Sequence, residues 1–488
     1  MQQEAKDRVM AMDWQTLLCK ERPRPSTNPG DHRVEFERDL DRSVFSTPVK
    51  RLQDKAQVFP LEPNDAVRTR LTHSMEVSAV ARGLATKVGK WLLDTGKIKT
   101  GDDRCIEAIA AVCGLIHDLG NPPFGHSGED AIREWFATRF GENGLGGEFG
   151  ENSQLVQDFL KFEGNAQSLR LVSKLQILAD FNGLNLTYGT LSASCKYTAS
   201  SHTTVSNGDH AKSKPGYFAS EGRLVDSIRE KTGTGDARNP LTFLVEAADD
   251  IVYSVADIED AVKKDILSWK DVQKSILQCD AMQEYGLNSG MMKSKLLDPK
   301  ERVVIQAFKG TKRILKAGQC DMPKDVPNDA YASAFRTSVI GILVNASVKA
   351  FQDQYESIMS GSYKGELVEE GDAMTLVHRL KTLARTRVYC TPSNLKLELM
   401  GRRVIFDLMD LFWEGAKQLP IQGDPKPKTF PGKLGALLSD NYRRVFQHSV
   451  RTMPELPENY HRFQLVTDYV CGMTDTFAKR LHAELTNG

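Results

Sequence analysis

The chain has 488 residues, enough for one large hydrophobic core or two or three smaller ones. With 40% hydrophobic and 26% charged residues it has the profile of an ordinary soluble globular protein. Lys+Arg and Asp+Glu balance at 64 each, so no net field points to nucleic acid or membrane, and only local basic pockets remain to attract anions.

The start, Met1-Gln2-Gln3-Glu4-Ala5-Lys6-Asp7, lacks the apolar centre of a signal peptide. Residues 1 to about 50, broken by Pro23, Pro25 and Pro29, read as a short helix and an irregular arm, with Phe36 and Leu40 as a narrow apolar stripe. A helix is expected from Asn64 to Leu93, with Asn64 or Thr69 as its cap, carrying Arg68, Arg70 and His73. Ile106 to Ile116 is apolar on nearly every face, as a helix buried all round should be. It runs into His117-Asp118-Leu119-Gly120-Asn121-Pro122-Pro123-Phe124-Gly125-His126-Ser127-Gly128-Glu129, a turn enforced by Gly120 and the two prolines.

Gly141 to Asn152 reads as a flexible loop, and Leu155 to Leu184 as one or two amphipathic helices. Ser200 to Gly216 is polar and reads as an insertion or mobile lid. Pro240 to Val262 is a long helix, and helices continue to Phe351 with loops near Gly286 to Gly290 and Cys320 to Asn328. Pro420 to Gly432 is a loop, and a final helix is expected from Asn459 to Leu485. With no internal repeat and no strand alternation, the class is mainly α. The eight scattered cysteines form no CxxC pair, which implies reduced thiols and a cytoplasmic location. No run of about eighteen apolar residues is found, so a membrane span is not expected.

A histidine and an aspartate closing a buried helix are costly unless something binds them, and a divalent metal is the obvious compensation. Three helices can supply its ligands: His73 from the first, His117 and Asp118 from the second, and an aspartate from the third. On that third helix Asp249, Tyr253 and Asp257 stand four apart on one face, with Asp250 turned roughly a quarter-turn away and less suited to the metal.

These residues carry a family resemblance. Arg51-Leu52-Gln53 with Gln57-Val58-Phe59-Pro60-Leu61, Arg68 to Glu76, His117 to Glu129 and Glu246 to Val262 resemble the HD-domain superfamily of metal-dependent phosphohydrolases. Within it the chain is most similar to the bacterial deoxyguanosine triphosphate triphosphohydrolases. Weaker matches run through Phe162 to Gln167, Lys196-Tyr197, Lys214 to Tyr217 and Cys471-Gly472-Met473-Thr474-Asp475. The resemblance implies an HD-domain helical core with an additional helical C-terminal region: an arm over 1–60 that starts the site, a catalytic core over 61–275, and a region over 276–488 completing the base pocket and oligomer contacts.

It further implies His73, His117, Asp118 and Asp249 as ligands of one manganese or magnesium ion, the mixed nitrogen and oxygen set also being compatible with iron or cobalt. The implied reaction is hydrolysis of dGTP at the α-phosphate to deoxyguanosine and inorganic triphosphate. His126 and Glu129 resemble the catalytic dyad, with His126 acting as acid or as base. Arg70, on the face of His73, is the expected phosphate contact, with Lys196, Tyr197 and Lys214 resembling a phosphate clamp.

For the sugar, the resemblance puts Tyr253 where a 2′-hydroxyl would clash and Gln53 with Asp257 at the 3′-hydroxyl, with Asn165 as a further substrate contact. For guanine it points to Glu398, set among apolar neighbours, and to Arg443. It also implies a homo-oligomer, a hexamer, with single-stranded DNA as an allosteric effector. A dNTP triphosphohydrolase of broad specificity is the nearest alternative. A phosphodiesterase or 5′-nucleotidase fits the sugar and dyad residues less well, and a regulatory HD protein that binds single-stranded nucleic acid is the alternative from another class.

Overall fold

The computed structural model describes residues 11–26, 31–142, 144, 147–150, 153–176, 180–206, 208–278, 298–317 and 326–486. The expected loop at Gly286 to Gly290 and most of the one at Cys320 to Asn328 lie outside these residues, as does part of Gly141 to Asn152. Among the described residues the fold is mainly α, as expected. The strands are β1 (Ala199–Ser200) and β2 (Pro215–Tyr217), which pair in parallel across the base of the polar 200–216 segment.

The first helix of the site, α1 (Arg70–Asp94), begins later than Asn64 because Thr69 is its cap, its hydroxyl accepting from Thr72 N. Asn64 instead closes a turn onto Ala66 N. Helix α2 (Asp102–Ile116) is buried along nearly its whole length, packed against α1, the Glu35–Val44 helix and the Pro240–Lys263 helix. A Cβ on Gly114 would come within 2.7 Å of Ser78 Cα, so glycine there lets α1 and α2 touch backbone to backbone. That approach brings the His73 and His117 rings to 5.5 Å between centroids.

The turn after α2 delivers α3 (His126–Glu142), followed by α4 (Gln154–Leu160) and α5 (Gly164–Arg170). Gly120 serves it by close approach and not by unusual backbone angles, since a Cβ there would lie 2.2 Å from Gly164 O. The left-handed residues are Phe124 (φ 63°) and Gly125 (φ 60°), directly before α3. Helix α6 (Pro240–Lys263) is capped by Asn239, which accepts from Leu241 N at 2.9 Å, with Pro240 in its first turn.

After α7 (Pro299–Ala317) comes α8 (Asn328–Asp353). By length and composition alone it could cross a membrane, although Arg336, Asn345 and Lys349 interrupt it and it holds no unbroken apolar run of the length looked for in the sequence. Its apolar character comes from small residues interleaved with Val339, Leu343 and Phe351, which are fully buried where α8 packs against α6 and α7. Helices α9 (Met374–Leu383), α10 (Pro392–Lys417) and α11 (Asp440–Thr452) follow. The single C-terminal helix expected over 459–485 is two, α12 (Glu458–Cys471) and α13 (Asp475–Thr486), separated at Gly472 to Thr474. A Cβ on Gly472 would sit 2.2 Å from the Tyr442 hydroxyl, and Thr474 caps the second helix, its hydroxyl accepting from Phe477 N.

Two apolar clusters organise the packing. One gathers α1, α2, α6, α8 and α9, and the other gathers α3, α4, α5, α10, α12 and α13. The end of α2 and the turn after it stand between them.

Candidate active site

A cavity of about 540 Å³ opens there, within the range of ordinary ligand pockets. Its wall includes His117, Asp118 and Asp249 on one side and His126 and Glu129 beside them. His73 is fully buried behind this wall, with Nε2 3.0 Å from Asp249 Oδ1. His117 Nε2 lies 3.5 Å from the same oxygen and 3.6 Å from Asp118 Oδ2. Donor atoms of His73, His117 and Asp118 fall within 4.8 Å of one another.

Two observations test whether this set suits a divalent metal. His117 Nδ1 donates to Gly114 O at 2.8 Å, so Nε2 is the nitrogen turned toward the two carboxylates, where it is buried without a hydrogen bond and becomes a free ligand once its proton leaves. Burial opposes a charge on His117, but Asp118 and Asp249 outweigh it and push its pKa up to about 9. Burial likewise opposes ionisation of the carboxylates. Arg70 nonetheless holds Asp118 down to about 2, and His117 holds Asp249 well below its ordinary value. Such a site concentrates negative charge and lone pairs on one point, and the residues fit a hard divalent ion. Asp250 also reaches the cavity wall but faces Lys381 at 3.4 Å instead of the histidines, and burial pushes it up to about 7.

His126 stands at the start of α3, its Nδ1 3.3 Å from Glu129 Oε2. Glu129 is buried and held by Gly164 N on Oε1 and Arg133 Nη2 on Oε2. The bond to Glu129 raises the His126 pKa above its ordinary 6.5. The Glu129 carboxyl falls below its own ordinary value: burial opposes this, and His126 outweighs it. The pair is therefore an imidazole whose charged form is favoured by an oriented carboxylate, an arrangement suited to proton transfer.

The cations of the wall all have carboxylate partners. Arg70 pairs with Asp118, Lys196 Nζ lies 3.6 Å from Glu246 Oε1, and Lys214 Nζ lies 3.1 Å from Glu163 Oε2. Both lysines flank the Tyr197 ring at about 6 Å. Asn165 also faces the cavity, tied to Glu163 at 2.9 Å. The 200–216 segment is pinned at both ends by the buried Asp158, which accepts from Ser201 Oγ at 2.6 Å and Ala219 N at 2.7 Å.

Tyr253 and Asp257 continue the wall along the face of α6 that carries Asp249, and the Tyr389 hydroxyl donates to Asp257 Oδ2 at 2.5 Å. Burial pushes Asp257 up to about 6. Glu398 reaches the wall too, but it is half-buried and flanked by the exposed Leu395 and Leu399, not enclosed by apolar neighbours.

Two expected residues are not brought to the cavity. Gln53 is exposed outside its lining, and Arg443 pairs with Asp440 on α11 at 3.2 Å. In place of Gln53 the wall holds Gln57, whose buried Oε1 has no partner. Gln57 heads a stretch that already carried the resemblance, and that was its signal. Glu163, Glu246, Tyr389 and Asn394 also line the cavity; Glu246 and Glu163 lie in stretches that carried the resemblance, whereas nothing in the sequence pointed to Tyr389 or Asn394.

The sequence model of the HD domain matches residues 70–174, the span from α1 to the segment after α5. A Listeria innocua protein named deoxyguanosinetriphosphate triphosphohydrolase-like protein is 37% identical over 486 residues, covering 97% of this chain and 99% of the relative. Deoxyguanosinetriphosphate triphosphohydrolase of Yersinia enterocolitica is 32% identical over 518 residues, covering 96% and 98%. With the HD match lying over the metal-suited histidines and the relatives aligned end to end, the chain belongs to the deoxyguanosinetriphosphate triphosphohydrolase family of HD-domain proteins.

Proposed function

We propose that the chain is a metal-dependent triphosphohydrolase that hydrolyses dGTP at the α-phosphate to deoxyguanosine and intact inorganic triphosphate. One observation carries this reading: a single cavity is lined by a metal-suited donor set, an imidazole–carboxylate pair and three cations. The names of the Yersinia relatives support the same class.

His73, His117, Asp118 and Asp249 would hold one manganese or magnesium ion. Bound there, the ion supplies Lewis acidity toward a phosphate oxygen and lowers the pKa of a water. Arg70, Lys196 and Lys214 take the triphosphate, which must compete with Asp118, Glu246 and Glu163 for them. In the reaction the oxygen of one water joins the α-phosphorus, the bond to the 5′-oxygen breaks, His126 gives that oxygen its proton, and the proton shed by the water passes through solvent to restore His126. Glu129 keeps His126 charged and oriented until then.

Tyr253 packs on the sugar face and excludes a 2′-hydroxyl. Asp257 holds the 3′-hydroxyl, and the partner role expected of Gln53 falls to Gln57, with its unpartnered buried oxygen. Glu398 accepts from the guanine N1–H and amine. A broad dNTP activity is the second reading, supported by Arg443 lying away from the cavity, which leaves guanine a single charged reader.

The same proposal includes a homo-hexamer, single-stranded DNA as an effector, a cytoplasmic location, and the division into 1–60, 61–275 and 276–488. Largely exposed Phe45, Leu399 and Phe430 suit subunit contacts. The test is to incubate metal-loaded protein with each dNTP and GTP and to separate the products. Deoxyguanosine and triphosphate are expected. Release of orthophosphate, or of dGMP with pyrophosphate, overturns the reading, and equal rates across the four dNTPs favour the broad one.

A further inference from the structure

The Cys471 to Asp475 motif has no place in the chemistry above, yet it reaches the site from behind. Asp475 is 2% exposed and sits in the first turn of α13. A carboxylate at that position ordinarily serves its own helix. Here Thr474 is the cap, and Asp475 faces away from its helix. Its Oδ1 accepts from Phe124 N at 3.0 Å and its Oδ2 from Ala56 N at 3.0 Å.

Both residues line the cavity. Phe124 precedes His126 by two residues and holds a left-handed backbone (φ 63°) that side chains other than Gly, Asn or Asp rarely adopt. Ala56 immediately precedes Gln57. The same three segments are tied a second time, since buried Lys55 donates to Asn121 O at 2.6 Å and to Cys471 O at 2.7 Å. The Phe124 ring seats on Gly401 of α10, where a Cβ would come within 2.6 Å of it.

From this geometry we infer that Asp475 is a positioning residue, whose carboxylate holds the turn that aims His126 and the strand of chain that presents Gln57. It touches no substrate. It acts by fixing two backbone segments against each other, so that the proton-handling side and the sugar side of the cavity keep one spacing. The break between α12 and α13, at Gly472 to Thr474, lies directly before Asp475.

This inference rests on the triphosphohydrolase reading for its kinetic consequence, so the test carries a readout that needs no substrate. In the full-length protein, Asp475→Asn keeps the side-chain volume but leaves only one acceptor oxygen. Loss of either contact is expected to lower kcat by about tenfold or more while KM stays within about threefold, as misplacement of a catalytic group does. The titration of His126, followed by NMR and assigned with a His126→Gln spectrum, should fall toward the ordinary imidazole value as its pairing with Glu129 loosens. Thr476→Val removes only a surface bond of the same helix to Asp54 and is expected to change neither quantity.

Should the Asn variant not fold, Asp475→Glu keeps both acceptors at a longer reach and is read the same way. An unchanged kcat, an unmoved His126 titration, or an equal effect of Thr476→Val overturns the inference. If the wild-type protein hydrolyses no dNTP, the functional reading fails, and the His126 titration alone decides the positioning role.

Discussion

His117 gives the proton of Nδ1 to the Gly114 carbonyl at 2.8 Å, and that bond decides what its other nitrogen can do. Nε2 is left buried and without a hydrogen bond, facing Asp118 and Asp249, as the nitrogen that binds a metal once it has shed its proton. Because Asp249 also meets His73, it joins the two histidines. Asp249→Ala should therefore abolish Mn²⁺ binding in titration calorimetry and abolish turnover. Asp250→Ala, which removes one carboxylate partner of Lys381 beside Glu366 and Glu369, should leave Mn²⁺ affinity within about threefold, well under the loss expected of a true ligand. The reverse ranking would mean that the metal sits on the Lys381 side.

The same histidine predicts a proton count. Its pKa is pushed up to about 9 without an ion, so it is charged at pH 7 and must lose a proton to bind metal. Mn²⁺ binding at pH 7 should release about one proton, read from the dependence of the binding heat on buffer. Affinity should rise about tenfold per pH unit from 7 toward 9 and then level off. Affinity independent of pH across that range would place the ion elsewhere.

His126 and Glu129 predict the alkaline side of the activity profile. The Glu129 bond raises the His126 pKa, so the acid form persists above 6.5 and is lost as pH rises through the raised value. Glu129→Gln removes the charge that raises it, and the alkaline limb of kcat should move to lower pH. His126→Gln should cost about 10²-fold or more in kcat with Mn²⁺ affinity unchanged. An alkaline limb that stays put in Glu129→Gln would assign it to another group.

Glu398 is the one charged base reader that the cavity offers among those expected. Glu398→Gln replaces an acceptor by an amide that also donates, which opposes the guanine N1–H and amine. The preference for dGTP over dATP should drop about 10- to 100-fold, the usual consequence of one unsatisfied polar contact. A retained ratio of kcat/KM values would move guanine recognition to a neighbour such as Asn394.

How far the site was legible follows from which residues obey a local rule. His117 and Asp118 betray themselves because a charged pair ends a helix with no polar face. Asp249, Tyr253 and Asp257 follow from the period of one helix. Gln53 and Gln57 have no such rule, because 52–58 is a short 3₁₀ turn and loop where a period of 3.6 does not apply. Tyr389 meets Asp257 across 132 positions of chain, a contact that only the tertiary fold creates. The helix break at 472–474 has no proline, but Gly472 followed by the capping Thr474 is a local signal that the expected single helix passed over.

Two glycines of the catalytic region should respond to alanine with opposite signs. Gly83 lies inside α1 with ordinary helical angles, and a Cβ there meets nothing within 4 Å. Gly83→Ala should stabilise the fold by about 0.5–1 kcal/mol through the lower backbone entropy of the unfolded chain. At Gly120 the new Cβ would stand 2.2 Å from Gly164 O and 2.3 Å from Ser168 N, and neither is a flexible side chain that can swing away. Gly120 N also donates to Ser168 Oγ at 2.8 Å, so relief would break that bond and shift the turn carrying Asp118. Gly120→Ala should destabilise by about 1–3 kcal/mol or more and weaken Mn²⁺ binding as well. Urea unfolding of the two variants compares them directly, and a neutral Gly120→Ala would show that α5 yields to the turn instead of holding it.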